Sequence, residues 1–343
     1  MKPFIRSARR LACLLAMSIA GVAHAQVQVQ AQQQAQQWDM FAFPGATHPI
    51  TLRLKDFSDE VRKRTNGQLV ITVRPAGEFP FKATEVVRAT GLGQVQLGEG
   101  YSGFISGAVP LASAANLPFL VRTSDELNKV WPIIRKYAEP EFEKAGVKTL
   151  FYFEWPQQNL YGRGAQVRQL EDFAGRKFRT TDGKQNEMLK RLGAASVSLT
   201  LAEVPVAVER GVVDGFVTAG FNVMGAKWYE FVKWAYMPNI HVGGPDYILV
   251  NLAAYNKLAP AVRSALDAVA AQWGPRMTGQ NAADEVRDLE ILRTKHGVNV
   301  FTPPKEEVDK LTERMRPYWT SWAEEHGANG VALVKEIRAA LGR

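Results

Sequence analysis

Cysteine is almost absent from this sequence, and its scarcity excludes several kinds of chemistry. The 343 residues include one cysteine, Cys13, which lies in an apolar stretch close to the N-terminus. Without that stretch the chain has no disulfide and no catalytic thiol. Long apolar runs are also missing: after residue 25, no run approaches the roughly 18 apolar residues of a membrane-spanning helix. A chain of this length can rely on its own hydrophobic core for stability.

Motifs for metal binding and catalysis are missing as well. Four histidines lie beyond residue 25, and they show neither metal-ligand spacing nor an H-E-x-x-H motif. The sequence GYSGF at Gly100–Phe104 departs from the G-x-S-x-G motif of a nucleophile elbow at its last residue, and there is no P-loop. We therefore expect no metal, no cofactor and no catalytic centre, which favours a binding protein over an enzyme.

The N-terminus has the pattern of a secretory signal peptide. A basic start, MKPFIRSARR, precedes the apolar run LACLLAMSIAGV and a small-x-small site, Ala23-His24-Ala25. We predict residues 1–25 as the signal peptide, cleaved after Ala25, and residues 26–37, QVQVQAQQQAQQ, as a disordered leader. Loss of the four basic residues of the signal lowers the formal net charge from +8 to +4. Much of the basicity thus belongs to targeting, and we expect no nucleic-acid partner.

Strands and helices alternate in the central part of the chain. Between residues 170 and 215 the pattern predicts a strand, a helix, a short apolar run, a second helix and a further strand: Lys177–Thr180, Gln185–Leu192, Val197–Leu201, Glu203–Arg210 and Val212–Asp214. Gly193 and Gly211 follow the two helices. This rhythm is typical of α/β proteins with parallel sheets, in which ligands bind beyond the carboxyl ends of the strands.

Arg179 lies near the end of the first of these strands, where such a ligand would bind. Its guanidinium can offer two parallel hydrogen bonds to a carboxylate. From the residue type alone, a salt bridge on the protein surface is the alternative. Phe43 ends the predicted strand Trp38–Phe43, and Trp155 lies in the loop after the predicted strand Val147–Phe153, so both are candidates for the wall of a ligand cleft. Simple core packing is the alternative for the tryptophan.

The second half of the chain contains a long helical stretch. Pro260–Gln272 has apolar residues on one face, Gly274 follows, and Pro275–His296 continues the helical pattern for about 22 residues. We predict two helices here, interrupted at Gly274, the second being roughly 33 Å long and able to run across two domains. Upstream of them, Phe216–Met224 is predicted as a loop and Gly225–Trp234 as a helix.

Several segments resemble motifs of one known family. The run Leu170–Arg179 (LEDFAGRKFR) is similar to the DLKGLKIR segment of DctP-type solute-binding proteins, which serve tripartite ATP-independent periplasmic (TRAP) transporters. Glu203–Gly215 (EVPVAVERGVVDG) resembles the EVYPALQRGVVDG segment of the same family, and Gly67–Gly98 resembles its early region. The likeness extends in order over nearly all of the mature chain, so the protein is identified as a member of this family.

The resemblance implies a two-lobed α/β fold of the periplasmic binding proteins, type II-like, with a hinge and a long helix that spans both lobes. It places residues 38–158 and about 249–285 in lobe I, and residues 159–248 and about 286–343 in lobe II. It also implies a periplasmic receptor, acting as a monomer. Such a receptor captures a small carboxylate and passes it to the permease subunits of a TRAP transporter.

The resemblance also implies roles for single residues. In the family, the arginine that ends the KIR strand pairs with the ligand carboxylate, and this position is Arg179. A second, upstream arginine has Arg163 as its nearest match. Thr218 replaces the family asparagine three residues after the VDG motif, and Phe216 stands where a polar residue is usual, which favours a less polar acid. Together with the two aromatic candidates, these four residues form the predicted binding site.

Two other functions are compatible with the residues. A receptor of an ABC-type importer would share the fold and differ in its membrane partner, and a secreted enzyme of an unrecognised class would turn over its ligand. Integral-membrane subunits without an ATPase among the neighbouring genes would favour the TRAP class, whereas turnover of a bound ligand would favour an enzyme.

Overall fold

The computed structural model describes residues 35–343, so the predicted signal peptide and most of the predicted leader lie outside the described residues. Gln36 and Gln37, the last two residues of the predicted leader, belong to the first strand and pair with Leu69 and Val70. The strands of the described part are β1 Gln36–Phe41, β2 Leu69–Arg74, β3 Leu97–Tyr101, β4 Val147–Glu154, β5 Gln158–Gly162, β6 Lys177–Thr180, β7 Ala195–Ser198, β8 Gly215–Thr218, β9 Trp234–His241, β10 Pro245–Asn251 and β11 Asn299–Phe301.

Helices connect and cover these strands. The α-helices of the described part are α1 Pro49–Arg64, α2 Val86–Gly91, α3 Ser102–Ile105, α4 Ser124–Lys144, α5 Gly183–Arg191, α6 Val204–Glu209, α7 Gly220–Gly225, α8 Leu252–Asn256, α9 Pro260–Thr294, α10 Lys305–Glu325 and α11 Gly327–Leu341. Short 3-10 helices lie at Ala83–Glu85, Pro110–Asn116, Leu170–Phe173, Leu201–Glu203 and Trp228–Glu230. Within residues 35–343, no helix combines the length and apolar character needed to cross a bilayer.

The strands form two mixed sheets, one in each lobe. The first has the order β2-β1-β3-β10-β4, with β10 antiparallel to both of its neighbours. The second has the order β11-β9-β5-β8-β6-β7, in which β6 is parallel to β7 and β8 and β5 is antiparallel to β8 and β9. The predicted two-lobed α/β fold class is therefore confirmed.

Two short segments carry the chain between the sheets. The first follows β4 at Trp155, and the second lies between β9 and β10. The two segments run side by side and in close contact at Gly243. A Cβ at this position would lie 1.8 Å from the carbonyl oxygen of Trp155, so only glycine fits there. All of Pro245–Asn251 pairs within the first sheet. We therefore propose that the second boundary between the lobes lies at 242–244 rather than at residue 248.

Helix α9 joins the lobes along their length. It runs for 35 residues, roughly 52 Å, and packs against α1 and β4 of the first lobe and against α7 of the second. The predicted interruption at Gly274 is wrong, because the helix continues through it. Glycine is needed there for close packing: a Cβ would lie 2.5 Å from the carbonyl oxygen of Tyr152 in β4.

The segment after the VDG motif differs from its prediction. The strand predicted at Val212–Asp214 lies instead at Gly215–Thr218, between β5 and β6. The predicted loop 216–224 contains the end of this strand and helix α7, and the predicted helix 225–234 is reduced to one 3-10 turn. The strand was misplaced because each residue of Gly215–Thr218 is buried within the second lobe, so that the segment shows no pattern of exposed and buried positions.

Candidate functional site

A small cavity lies between the two lobes. The space between its lining atoms is about 290 Å³, including the part that is open to solvent, and nearly all of its lining side chains are buried. The first lobe contributes an aromatic wall, consisting of Phe43, Tyr101, Phe104 and Trp155. The second lobe contributes a more polar surface, consisting of Gln158, Arg179, Thr181, Leu201, Thr218 and Asn222. Side chains of both lobes thus face one another across this space.

Among residues 35–343, Arg179 is the only charged residue that lines this cavity. It is the third residue of β6, and its side chain is 1% exposed. The backbone fixes the guanidinium on two sides: Nε donates to the carbonyl of Leu199 (2.9 Å) and Nη1 donates to the carbonyl of Val217 (3.2 Å). The remaining nitrogen, Nη2, has no hydrogen-bond partner among residues 35–343. Two of the three guanidinium nitrogens therefore fix the position of the side chain, and the third, Nη2, is able to donate to a ligand.

No carboxylate of the described chain forms an ion pair with this arginine. Two acids that influence its pKa are engaged elsewhere, Asp182 with Lys184 at 3.2 Å and Glu203 with Lys82 at 2.9 Å. Burial lowers the pKa of Arg179 to about 10, so that it is still a cation at neutral pH. A buried cation without a counter-ion is costly, and an anion that enters the cavity removes this cost.

The aromatic wall is formed by rings that contact one another. Phe43 stacks on Trp155 with ring centres 5.7 Å apart and meets Phe104 edge-on at 5.1 Å. Tyr101 meets the tryptophan edge-on at 6.1 Å. The wall has a fixed shape and presents an apolar surface to a ligand, because buried aromatic side chains pack in well-defined geometries.

Two hydroxyl groups in the cavity are also without partners. The Tyr101 hydroxyl and Thr181 Oγ1 are buried and make no hydrogen bond of good geometry in the described part of the chain, although Asn116 lies beside the tyrosine. They come from opposite lobes, β3 and the end of β6. Buried polar groups are normally hydrogen-bonded, so that unpaired ones in a cavity indicate the place of a ligand's polar atoms.

A chain of hydrogen bonds links the second lobe's polar surface to the first lobe. Asn222 Nδ2 donates to Thr218 Oγ1 (3.0 Å), and Asn222 Oδ1 lies 3.2 Å from His48 Nε2. His48 Nδ1 accepts from the Ile50 N–H and caps helix α1, so Nε2 carries the proton and donates to Asn222. Burial lowers the pKa of His48 to about 4, and the ring is neutral at physiological pH.

Four of the six predicted binding residues line the cavity, namely Phe43, Trp155, Arg179 and Thr218. Arg163 does not. It follows the far end of β5, five residues and roughly 17 Å from the cavity residue Gln158. Phe216 does not line the cavity either, because its ring packs on Trp228 (4.8 Å) inside the second lobe.

The sequence analysis missed the remaining lining residues: Tyr101, Phe104, Gln158, Thr181, Leu201 and Asn222. Two of them had usable signals. Gln158 is the first residue of β5 and lies three residues after Trp155, and Thr181 follows Arg179 by two residues at the carboxyl end of β6. Asn222 was hidden by the wrong loop prediction for 216–224. Its side chain lines the cavity four residues beyond Thr218, to which it donates a hydrogen bond.

Two lobes that close on a small cavity with one buried cation define the class of two-lobed solute-binding proteins. Residues 42–326 match the profile of the DctP family, described as bacterial extracellular solute-binding protein, family 7. This match spans most of the chain, and the protein belongs to that family.

Solved structures with the same fold include receptors with known ligands. A TRAP solute-binding protein from a marine metagenome, specific for pyroglutamate and crystallised with co-purified pyroglutamate, is 27% identical, with a TM-score of 0.82 and coverage of 89% of this chain and 99% of that one. DctP7 of Bordetella pertussis, an extracytoplasmic solute receptor binding pyroglutamic acid, is 26% identical, with a TM-score of 0.83 and coverage of 89% and 100%.

A curated relative has a related role. The C4-dicarboxylate-binding periplasmic protein DctP of Rhodobacter capsulatus is 25% identical over 286 residues, covering 82% of this chain and 85% of the relative. The chain is therefore a TRAP-class receptor that binds a small organic acid for delivery to a membrane permease. The predicted family and function are confirmed, and an ABC-type importer is not favoured. The family consists of binding proteins, and it is periplasmic.

Proposed function

We propose that this receptor captures a compact monocarboxylate, with Arg179 as the carboxylate-binding residue. The observation that carries the proposal is the unpaired Nη2 of a fully buried guanidinium that lines the interlobe cavity. A carboxylate there would accept a charge-assisted hydrogen bond from Nη2. It would also compensate a cation that no acid of the described chain neutralises.

The same carboxylate would satisfy the two unpaired hydroxyl groups. Tyr101 from the first lobe and Thr181 from the second can each donate one hydrogen bond, and a carboxylate has lone pairs for both in addition to the arginine. Such a ligand would join the lobes directly. Its binding would therefore favour the closed form, which is the form that a permease can distinguish from the empty receptor.

Size and polarity favour an acid with one carboxylate and a small ring. The aromatic wall offers an apolar face to the body of the ligand, while Gln158 and Asn222 offer amide groups at its edge. Pyroglutamate, the ligand of the two relatives at 26% and 27% identity, combines a carboxylate with a small lactam ring. A second carboxylate would meet no second cation among the lining residues, so C4-dicarboxylates are expected to bind weakly.

Calorimetric titration with L-pyroglutamate tests this proposal. Succinate serves as a dicarboxylate control and 2-pyrrolidinone as a control with the ring and without the carboxylate. We expect binding of L-pyroglutamate, at least tenfold weaker binding of succinate and no detectable binding of 2-pyrrolidinone. Equal affinity for succinate, or binding of 2-pyrrolidinone as tight as that of L-pyroglutamate, would contradict a site built around one carboxylate.

Further features of this function are also proposed. The receptor acts in the periplasm as a monomer after cleavage behind Ala25, binds no nucleic acid and does not turn over its ligand. The ligands and periplasmic location of the family support the periplasmic role and the absence of turnover, whereas the cleavage site and the monomeric state rest on the sequence analysis alone. Mass spectrometry of the exported protein would test the cleavage site, and mass spectrometry of the ligand after long incubation would reveal any turnover.

A further inference from the structure

Two carboxylic acids lie buried behind the aromatic wall, outside the set of residues that line the cavity. Glu99 is in the middle of β3, and Asp246 is in the neighbouring strand β10, where it is paired with Tyr101. Both residues are 0% exposed. Acids are almost never fully buried without a partner of opposite charge, so this pair requires a physical explanation.

Each acid holds one member of the aromatic wall. The backbone N–H of Phe43 donates to Glu99 Oε2 (3.0 Å), and the indole Nε1–H of Trp155 donates to Asp246 Oδ2 (2.6 Å). These two aromatic residues stack on each other and line the cavity. The pair therefore fixes the position of the wall from behind, one acid through a backbone group and the other through a side chain.

The pair has no counter-ion. In the described part of the chain, no lysine, arginine or histidine forms an ion pair with either acid, and Glu99 Oε1 and Asp246 Oδ1 receive no N–H or O–H donor from another residue. Glu99 and Asp246 are diagonal neighbours on the same face of two adjacent strands, and each acts on the pKa of the other as a hydrogen-bonding side chain. Such a contact between carboxyl groups requires a proton, because two carboxylates offer only acceptors. Burial and mutual repulsion raise the pKa of Glu99 well above its usual range, and burial raises the pKa of Asp246 to about 8.

We propose that the Glu99–Asp246 pair is a positioning element for ligand binding, which holds Phe43 and Trp155 in place through a hydrogen bond between its two acids. This proposal rests on the function proposed above, since the wall it positions faces the Arg179 cavity. Ionisation of Asp246 would leave one proton, on Glu99, between the two acids and would place a negative charge behind a wall that contacts an anionic ligand. Ligand affinity should consequently fall as the pH rises above 8.

Other ionisable groups near the wall do not account for such a fall. Tyr101 is neutral because burial raises its pKa, and His48, which stacks near Trp155, is neutral because burial lowers its pKa to about 4. Arg179, with a pKa of about 10, is still mostly charged at pH 9. Asp182 also acts on the Tyr101 hydroxyl and is in an ion pair of its own.

The test compares two substitutions of the same acid. Asp246→Asn keeps an acceptor for the indole N–H and cannot ionise, whereas Asp246→Ala removes the acceptor. With L-pyroglutamate as the probe, we expect wild-type affinity to fall about tenfold between pH 7 and 9, as for a group that titrates near 8 and binds in one form. Asp246→Asn should bind within about threefold of wild type at pH 7 and lose this pH dependence. Asp246→Ala should bind at least tenfold more weakly at pH 7.

A matched control is Glu141→Gln, which removes a half-buried acid whose pKa burial also raises and which bonds to the Leu111 N–H away from the wall. It should retain both the wild-type affinity and its pH profile. A second readout needs no ligand: the infrared C=O absorption of buried protonated carboxyl groups should lose the Asp246 contribution above pH 8 in wild type, and Asp246→Asn should show no such loss.

The outcomes separate this proposal from the proposed function. If wild type binds L-pyroglutamate but Asp246→Asn retains the fall above pH 8, or Asp246→Ala binds like wild type, the positioning role is refuted and the carboxylate site stands. If Asp246→Ala does not fold, the pH profile and infrared band of Asp246→Asn still decide. If wild type binds no monocarboxylate, the proposed function fails, and the infrared band alone tests the shared proton.

Discussion

Replacement of Arg179 tests the proposed binding site most directly. The side chain is fully buried and charged, donates to the Leu199 and Val217 carbonyls, and keeps Nη2 for a ligand. Arg179→Ala removes the one cation that lines the cavity in the described part of the chain. Arg179→Lys retains the charge but replaces a planar fork of donors by a single ammonium, which cannot reach two backbone carbonyls and a ligand together.

The magnitude follows from the hydrogen bonds that are lost. A hydrogen bond to a charged group contributes about 1.5–3 kcal/mol, and the ligand carboxylate would also be left in an aromatic cavity without a cation. We expect Arg179→Ala to weaken monocarboxylate binding by about 2–4 kcal/mol, which corresponds to a rise in Kd of roughly 30- to 1000-fold. Arg179→Lys should give an intermediate loss.

The ligand-free protein should respond in a different way. Two hydrogen bonds to backbone carbonyls are lost on mutation to alanine, but the cost of burying an unpaired cation is removed at the same time. We therefore expect the free energy of unfolding without ligand to change by less than about 2 kcal/mol, a Tm shift of only a few degrees. The Tm increase that the ligand causes in wild type should disappear, because that increase depends on affinity.

Isothermal titration calorimetry with L-pyroglutamate measures the binding loss, and thermal unfolding with and without ligand measures the stability effect. Arg163→Ala is the matched control, since it removes an arginine of the same lobe that lies away from the cavity. Its affinity should equal that of wild type. Unchanged affinity of Arg179→Ala would refute the carboxylate site, and a large loss in Arg163→Ala would restore the original sequence-based role of that residue.

Two further predictions concern stability. Gly274→Ala should lower the free energy of unfolding by about 1–3 kcal/mol, because its Cβ would lie 2.5 Å from the Tyr152 carbonyl oxygen. Gly279→Ala on the same helix meets open space and should raise the free energy of unfolding by up to about 1 kcal/mol. Urea unfolding that ranks the two variants in the opposite order would contradict this packing. His48 is buried and neutral, so the stability it contributes is complete above its ordinary pKa of 6.5 and is lost as the pH falls toward about 4. On acidification, the free energy of unfolding of His48→Gln should therefore fall less than that of wild type, and the difference should reach up to about 3 kcal/mol. If the free energies of unfolding of both proteins fall in parallel with pH, the titration of His48 is not coupled to folding.

Local patterns were sufficient where the chain makes regular, amphipathic elements. Helix α1 is an example: Leu54, Phe57 and Val61 recur at helical spacing and are all 0% exposed, and the helix is followed by Gly67 at φ +76°. Lys177–Thr180 is a strand with the predicted bounds. The same patterns failed where burial was complete, as in β8, since a strand covered on both faces has no alternation of apolar and polar residues.

The binding site likewise contains residues that local sequence predicts and residues that it does not. The place of Arg179 in the cavity lining could be predicted because its position at a strand end and the surrounding motif both depend on local sequence. The misplaced Arg163 shows the limit of that approach, since its distance from the cavity depends on the direction of β5 within the second sheet. Tyr101 and Asn222 reach the cavity only because two lobes close on each other, and no local spacing records that closure.

The sequence by itself determined the family, the receptor class and the identity of the charged residue in the cavity, because motifs and periodicity are properties of neighbouring residues. Only the tertiary structure decided which groups surround that charge. It left Arg179 Nη2 without a partner, and it placed Glu99 and Asp246 side by side although 146 positions lie between them in the sequence. Such pairings depend on how the strands are ordered within a sheet and on how the two lobes meet.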